Sequence, residues 1–350
     1  MPKRDISPKK LHELMQTGLC LDVRSPAEYR EGHIPGAVSM PLLSDTERAQ
    51  TGITYKQKGR DAAVQQALIW VGPKMSGFVD QARRLSAGRP ILLYCWRGGM
   101  RSHSMAWLLE QAGLEVSVLE GGYRNWRRYI YEVMANWGQW VVIGGPTGSG
   151  KTKLLHALKE AGEQVLDLEA LANHRGSAFG ALGLPPQPGN EQFISDIGMM
   201  MCGMKQRGRI WVEDESSMIG SLHLPEVIVG RLSSSPFVYL KTHSERRIRE
   251  LVHEYGQQAR AELEGAFRKI ARKIGGQYLN LALEALNAGR LDEAAAIALR
   301  YYDKAYAQSL SIRHPEGGIP LSWGANEEVD QVVNRLLGII KSKQIIPINK

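Results

Sequence analysis

One eight-residue stretch near the middle of the chain constrains its fold most. Gly145-Pro146-Thr147-Gly148-Ser149-Gly150-Lys151-Thr152 fits GxxxxGK[ST] in full. An apolar run, Trp140–Gly144, precedes it, and a helical pattern, KLLHALKEAG, follows. Strand, glycine loop and helix in that order make a phosphate cradle. The glycines clear space for backbone N–H groups around a di- or triphosphate, and the helix start adds the positive end of its dipole. Gly145, Gly148, Ser149 and Gly150 are therefore expected phosphate contacts. Lys151 supplies charge, and Thr152 can reach a magnesium ion.

Other residues are expected to gather around that cradle. Ile210-Trp211-Val212-Glu213-Asp214-Glu215 reads as an apolar strand ending in acids, where a carboxylate can orient a metal ion or water. The choice there lies between Glu213 and Asp214, and Asp167 is a weaker candidate of the same kind. Arg175, in the glycine-punctuated segment His174–Gly180, could meet a phosphate or RNA, or could be a plain surface arginine.

Short apolar runs alternate with helical patterns along the 350 residues. Leu19–Val23, Ile91–Cys95 and Val116–Glu120 read as buried strands of the first half. Trp140–Gly144, Gln164–Leu168, Ile210–Glu213 and Phe237–Lys241 read the same way in the second. This alternation predicts an α/β chain with parallel sheets covered on both faces. The segment Tyr123–Gln139 reads as a closing helix. The domain division expected is 1–130, a linker 131–139, 140–310, and a C-terminal segment 311–350 that carries little signal. Leu184–Asn190 (LPPQPGN) reads as a loop. From Glu245 to Ile274 apolar residues keep helical spacing, interleaved with Arg246, Arg247, Arg249, Arg268, Lys269, Arg272 and Lys273. These read as a solvated face, or more sharply as a basic surface for RNA.

A second loop carries different chemistry. Ile91–Cys95 ends in a cysteine, then come Trp96-Arg97-Gly98-Gly99-Met100-Arg101-Ser102 and a helical pattern. Gly98 and Gly99 let the backbone curl its N–H groups inward, the helix adds its dipole, and Arg97 and Arg101 add charge. Such a setting favours a thiolate at the mouth of an anion cradle, so Cys95 is the expected catalytic residue, with Ser102 in the anion loop. Cys20 and Cys202 sit in apolar stretches and read as core. Three scattered cysteines exclude a disulfide framework and a CxxC zinc site.

The formal net charge is +8. Residues 1–138 hold 19 Lys and Arg against 13 Asp and Glu, and the remainder 25 against 23, so most of the excess lies in front. A basic surface favours phosphate-rich partners. No apolar run approaches the roughly 18 residues needed to span a bilayer, so no membrane role and a cytoplasmic location are expected.

Around Cys95 the sequence resembles the rhodanese family. Leu21-Asp22-Val23-Arg24, Glu28-Tyr29 and Gly32-His33-Ile34-Pro35-Gly36-Ala37 match that family's opening. Glu120-Gly121-Gly122-Tyr123 with Trp126 matches its close. The loop departs from the sulfurtransferase pattern. Five residues separate Cys95 from Arg101, one more than is common, which resembles the phosphate-gripping rhodanese-fold phosphatases.

CWRGGMRS in such a domain, followed by GPTGSGKT, HRGSAFG and EDES in a P-loop domain, resembles the tRNA 2-selenouridine synthase family. Tyr301-Tyr302-Asp303 fits that resemblance too. It implies a rhodanese-like parallel-sheet domain, then a P-loop NTPase-like parallel-sheet domain with a helical C-terminal part. It also implies a transferase that converts wobble 2-thiouridine of tRNA to 2-selenouridine through an S-geranyl intermediate. Geranyl diphosphate and selenophosphate are the substrates implied, with no tightly bound cofactor, tRNA as partner and a selenophosphate-supplying enzyme as a second. Alternatives are a small-molecule kinase with a rhodanese appendage, a tRNA prenyltransferase alone, and a non-enzymatic RNA-binding module. A requirement for ATP hydrolysis marks the first, and an inert Cys95 the last.

Overall fold

The computed structural model describes residues 5–342. The chain divides into two compact units, one of residues up to 133 together with 194–202, the other of 134–193 with 203 onward.

In the first unit five parallel strands, β1 (Asp5–Ile6), β2 (Leu19–Asp22), β3 (Val38–Ser39), β4 (Ile91–Tyr94) and β5 (Val116–Leu119), lie in the order β1-β5-β4-β2-β3. Every residue of β2 and β4 is buried, as strands covered on both faces require. The helices are α1 (Pro8–Leu14), α2 (Pro26–Glu31), α3 (Asp45–Val71), α4 (Met75–Ser86), α5 (Met100–Gln111) and α6 (Gly122–Asn136, from Met134 part of the second unit). Local chemistry starts several of them. Ser25 and Glu28 form a capping box with Pro26 in the first turn of α2, and Ser44 and Glu47 form another at α3. α6 is the closing helix read from the sequence.

α3 is two helices in one. At Gly59 the backbone turns left-handed, φ +84°, and the halves fold back on each other. Thr54 Oγ1 donates to Gln66 Oε1 at 2.6 Å, and Lys74 Nζ reaches Glu47 at 2.6 Å, two pairs disposed symmetrically about the break.

An ion pair is buried at the end of β2. Arg24 donates through Nε and Nη2 to Asp22, at 2.9 and 2.6 Å, and to the Gly32 carbonyl at 2.7 Å. Its guanidinium lies 4.1 Å from the centre of the Tyr123 ring. Asp22→Asn leaves that guanidinium buried without its counter-ion, which costs about 3–5 kcal/mol. Urea unfolding of the variant reads this directly. A loss under about 1 kcal/mol would show that water replaces the carboxylate.

The second unit holds β6 (Gln139–Gly144), β7 (Gln164–Leu166), β8 (Arg209–Glu213), a small hairpin β9 (Met218–Ile219) and β10 (Leu222–His223), β11 (Phe237–Thr242) and β12 (Ile319–Trp323). The parallel sheet runs β12-β11-β6-β8-β7. All seven apolar runs read from the sequence are strands, each within two residues of its expected ends. The edge strand β12 was not expected. It is short and carries Pro320, which an edge tolerates because one side of the strand is unpaired.

The helices here are α7 (Lys151–Glu160), α8 (Leu168–Ala172), α9 (Asn190–Cys202, from Ile194 part of the first unit), α10 (Glu226–Ser234), α11 (Ser244–Tyr255), α12 (Arg260–Lys269), α13 (Ala271–Ile274), α14 (Gly276–Asn287), α15 (Leu291–Arg313) and α16 (Val329–Ser342). The helical pattern expected over 245–274 is thus three helices. Leu184–Asn190 is the loop expected up to the first residue of α9. Among the described residues no helix is long and apolar enough to cross a membrane.

Candidate functional site

The end of β4 delivers Cys95 to a tight loop that α5 closes. The Gly99 N–H donates to Cys95 Sγ at 3.3 Å. Ser102 Oγ lies 3.3 Å from the same sulfur and donates to the Gly99 carbonyl at 3.1 Å. The residue is only 3% exposed, so the sulfur sits at the floor of the cradle. From the other side the turn before α6 clasps the loop. The Tyr123 N–H donates to the Cys95 carbonyl at 2.8 Å, and a Cβ on Gly122 would stand 2.3 Å from that oxygen. Only glycine fits there, which is what the Gly-Gly pair in the closing motif is for.

The two arginines of the loop differ. Arg97 is exposed. Arg101 makes a two-pronged pair with Glu28, at 2.6 and 3.2 Å, so part of its charge is already neutralised. Glu28 in turn accepts the Ser25 N–H, and the salt links hold its carboxyl below the ordinary carboxylate range although burial opposes this. Cys20 and Cys202 are both buried. Burial pushes both thiols up, Cys202 to about 12, so neither is a nucleophile near neutrality.

In the second unit the phosphate loop leaves the central strand β6 and enters α7. Gly148 and Gly150 take φ +74° and +91°. A Cβ on Gly150 would meet the Trp323 ring at 2.8 Å. Lys151 Nζ folds back to the Gly145 carbonyl at 3.1 Å, across the concavity where a phosphate would lie. Ser149 is 1% exposed and its hydroxyl has no partner. Thr152 Oγ1 donates to Glu169 Oε2 at 3.2 Å.

The acidic strand end separates into two roles. Glu213 accepts the Glu169 N–H at 2.7 Å through Oε1, while its buried Oε2 has no partner. Asp214 is engaged by Arg313, His314 and Tyr306. Of the two candidates, Glu213 has an oxygen left for a ligand. Burial raises Glu213, Glu215 and Glu169 above the ordinary carboxylate range, and repulsion from a neighbouring carboxylate, Asp167 in the case of Glu169, adds to it. Thr152 and the free Glu213 oxygen are hard donors of the kind magnesium takes. Among the described residues no group of three or more His, Cys, Asp and Glu forms a metal cage. Asp167 caps α8 through the Ala170 N–H at 2.8 Å and contacts His156 at 3.0 Å.

The raised Glu213 has a consequence for stability. The folded protein keeps its proton at pH values where the unfolded chain has lost it. Each step upward through that window therefore destabilises the fold. Glu213→Gln removes this penalty. The variant should melt higher than the parent at pH 8, and the gap should narrow toward pH 5. A parallel pair of melting curves across that range would refute the buried-acid reading.

Other expected residues are placed differently. Arg175 pairs with Glu254 at 2.6 Å, donates to the Leu182 carbonyl, and lies over Tyr255. Arg246 and Arg247 are buried, neither solvated nor on an RNA-facing surface. Arg247 donates to the Thr147 carbonyl at 2.9 Å and to Asp303 at 3.0 Å, bracing the phosphate loop from outside. Tyr302 Oη accepts the Ala178 N–H at 3.2 Å.

Beside Thr147 lies a cavity that no motif announced. Phe179, Leu251, Tyr255, Phe267, Leu286 and Ala298 are among its walls, which are almost wholly apolar. Its residues come from the phosphate loop, the 177–179 segment and α11, α12, α14 and α15.

A phosphate-binding loop on a parallel sheet, in a chain that also folds a cysteine loop of rhodanese type, defines a protein with two loops of anion-cradle geometry. Residues 138–336 match the family described as tRNA 2-selenouridine synthase AAA domain, and residues 7–129 match the rhodanese-like domain. The tRNA 2-selenouridine synthase of Marinobacter nauticus is 32% identical over 85% of this chain and 89% of its own. That of Bdellovibrio bacteriovorus is 37% identical over 73% and 69%, and that of Bordetella petrii 35% over 82% and 85%. The chain belongs to the tRNA 2-selenouridine synthase family, and its fold is the rhodanese and P-loop pair that the sequence implied. It is accordingly a tRNA-modifying enzyme.

Proposed function

We propose that this enzyme converts wobble 2-thiouridine of tRNA to 2-selenouridine in two steps, with geranyl diphosphate and then selenophosphate as donors. The apolar cavity beside the phosphate loop carries this reading. A nucleotide-dependent kinase has no need of an oily recess next to its phosphates, whereas a prenyl diphosphate does. The lining follows α15 for three turns, Tyr302, Ala298, Ala294 and Leu291, or about 16 Å, a length that suits a linear terpenoid chain.

In the first step the sulfur of 2-thiouridine attacks C1 of the geranyl group. The C–S bond forms, the C–O bond breaks, and diphosphate leaves with the electron pair. Lys151 and the loop N–H groups neutralise the charge that develops on it. A magnesium ion held by Thr152 and Glu213 would add to that neutralisation. In the second step selenium replaces the geranylthio group at C2, geranylthiol departs, and the phosphorus of selenophosphate ends as phosphate after water attacks it. The Cys95 loop would hold selenophosphate through the Gly99 N–H, the start of α5 and Arg97, with the Cys95 sulfur displacing geranylthiol at C2 and being displaced in turn by selenium. Selenophosphate must come from a separate phosphorylating enzyme, and the tRNA substrate places the reaction in the cytoplasm.

Competition binding tests the cavity. Burying an apolar chain contributes about 0.8 kcal/mol per CH₂, so even four buried carbons amount to about two orders of magnitude. Geranyl diphosphate should displace inorganic diphosphate from the protein at about a hundredfold lower concentration. Ala298→Phe, which fills the cavity, should erase most of that advantage while leaving inorganic diphosphate unaffected. Equal affinity for the two diphosphates in the parent, together with ordinary affinity for ATP, would favour the kinase reading. In cells lacking the enzyme, nucleoside mass spectrometry should show 2-selenouridine lost and 2-thiouridine retained.

A further inference from the structure

We propose that the hairpin formed by α3 is an RNA-gripping arm, whose tip holds the phosphate backbone of a single-stranded tRNA loop beside Cys95. The proposal rests on the tRNA-modifying function above and adds where the RNA is held.

The arm is poorly supported by the protein itself. Of its 27 residues only Ala63 is buried. Ile53, Tyr55, Leu68 and Ile69 are 54–72% exposed. Ordering so many residues costs conformational entropy that this little burial does not offset, so the arm is a surface waiting for a partner. Its chemistry identifies the partner. The tip reads Lys56-Gln57-Lys58-Gly59-Arg60, three cations with no acid among them, and all five residues are exposed. Tyr55 beside them presents an open ring. Cations along a backbone track and an aromatic face for a base are what single-stranded RNA asks of a protein.

The position of the tip links it to the chemistry. Arg60 Nη2 lies 3.8 Å from Met100 Sδ. Met100 follows Gly99, whose N–H touches the Cys95 sulfur. The tip therefore stands at the rim of the cysteine cradle. Trp107, 58% exposed, lies two turns further along the face of α5 that carries Met100, about 10 Å away. It offers a second ring on which a base can stack. A nucleotide brought to Cys95 has cations on one flank and aromatic rings close by.

The test uses the full-length protein and a labelled tRNA anticodon stem-loop carrying 2-thiouridine, with binding followed by anisotropy between about 50 and 200 mM salt. The variant K56Q/K58Q/R60Q should bind about tenfold more weakly or worse at the middle of that range. Its plot of log affinity against log salt should be shallower by about 2, because three phosphate contacts are lost at about 0.7 each. Tyr55→Ala should weaken binding about tenfold with the slope unchanged, and Tyr55→Phe should restore it. K56R/K58R should bind like the parent. Melting temperatures should match throughout, since every altered side chain is exposed. If the parent binds the stem-loop and the neutralised variant binds it equally well with the same slope, the arm is not the RNA contact. If the variant instead changes only the oligomeric state in mass photometry, the surface joins two copies of the chain and the proposal fails. If the parent binds no RNA at all, the functional reading falls with it.

Discussion

Cys95→Ser is expected to abolish selenium incorporation while prenyl transfer continues, so that tRNA carrying the geranylthio group accumulates. Serine fits the space, and its Oγ can keep the contacts to the Gly99 N–H and Ser102. What it lacks is a soft, polarisable sulfur nucleophile. Loss of such a group lowers turnover by a factor of at least about a thousand. Cys20→Ser and Cys202→Ser should both stay active. Each is buried among apolar groups that hold its thiol protonated, and a hydroxyl there costs about 1–3 kcal/mol of stability without touching the chemistry. The three variants can be compared by mass spectrometry of digested tRNA after a single turnover. Normal selenation by Cys95→Ser would remove the residue from the mechanism and leave the loop a plain anion cradle.

The two loops were legible because their chemistry is local. Each depends on a run of eight residues whose glycines, cations and flanking apolar strand sit next to one another in the chain. The seven strands were legible for the same reason, as short runs buried on both faces. What is built from distant residues was not. The apolar cavity takes Thr147 from one loop, Phe179 from another and Ala298 from α15, and no one of these is unusual in its own stretch. The arginines at 246 and 247 look from the sequence like a solvated basic face. Only the fold shows Arg247 held between the Thr147 carbonyl and Asp303, and Arg246 spent on the carbonyls of Gly324 and Glu327. In the same way the sequence could not divide Glu213 from Asp214. The division depends on Arg313 and His314, about a hundred residues downstream, which occupy one carboxylate and leave the other with a free oxygen.

Lys151→Ala is expected to show the opposite split from Cys95→Ser. Lys151 Nζ rests on the Gly145 carbonyl, so the ammonium already lies within the loop proposed to receive a phosphate. As the C–O bond of the prenyl donor breaks, negative charge builds on the departing diphosphate. A charge-assisted contact made to it is worth about 1.5–3 kcal/mol. Where that contact strengthens in the transition state, its loss slows prenyl transfer about ten- to hundredfold. The fold should be unaffected, because the lysine is not part of the core. Given tRNA that already bears the geranylthio group, the variant should exchange it for selenium at the parental rate, since on the proposed division that step calls on the Cys95 loop alone. Two single-step assays with defined tRNA measure both rates. Normal prenylation with failed selenation would assign selenophosphate to the phosphate loop instead, and equal failure of both variants at both steps would mean that the two loops serve one composite site.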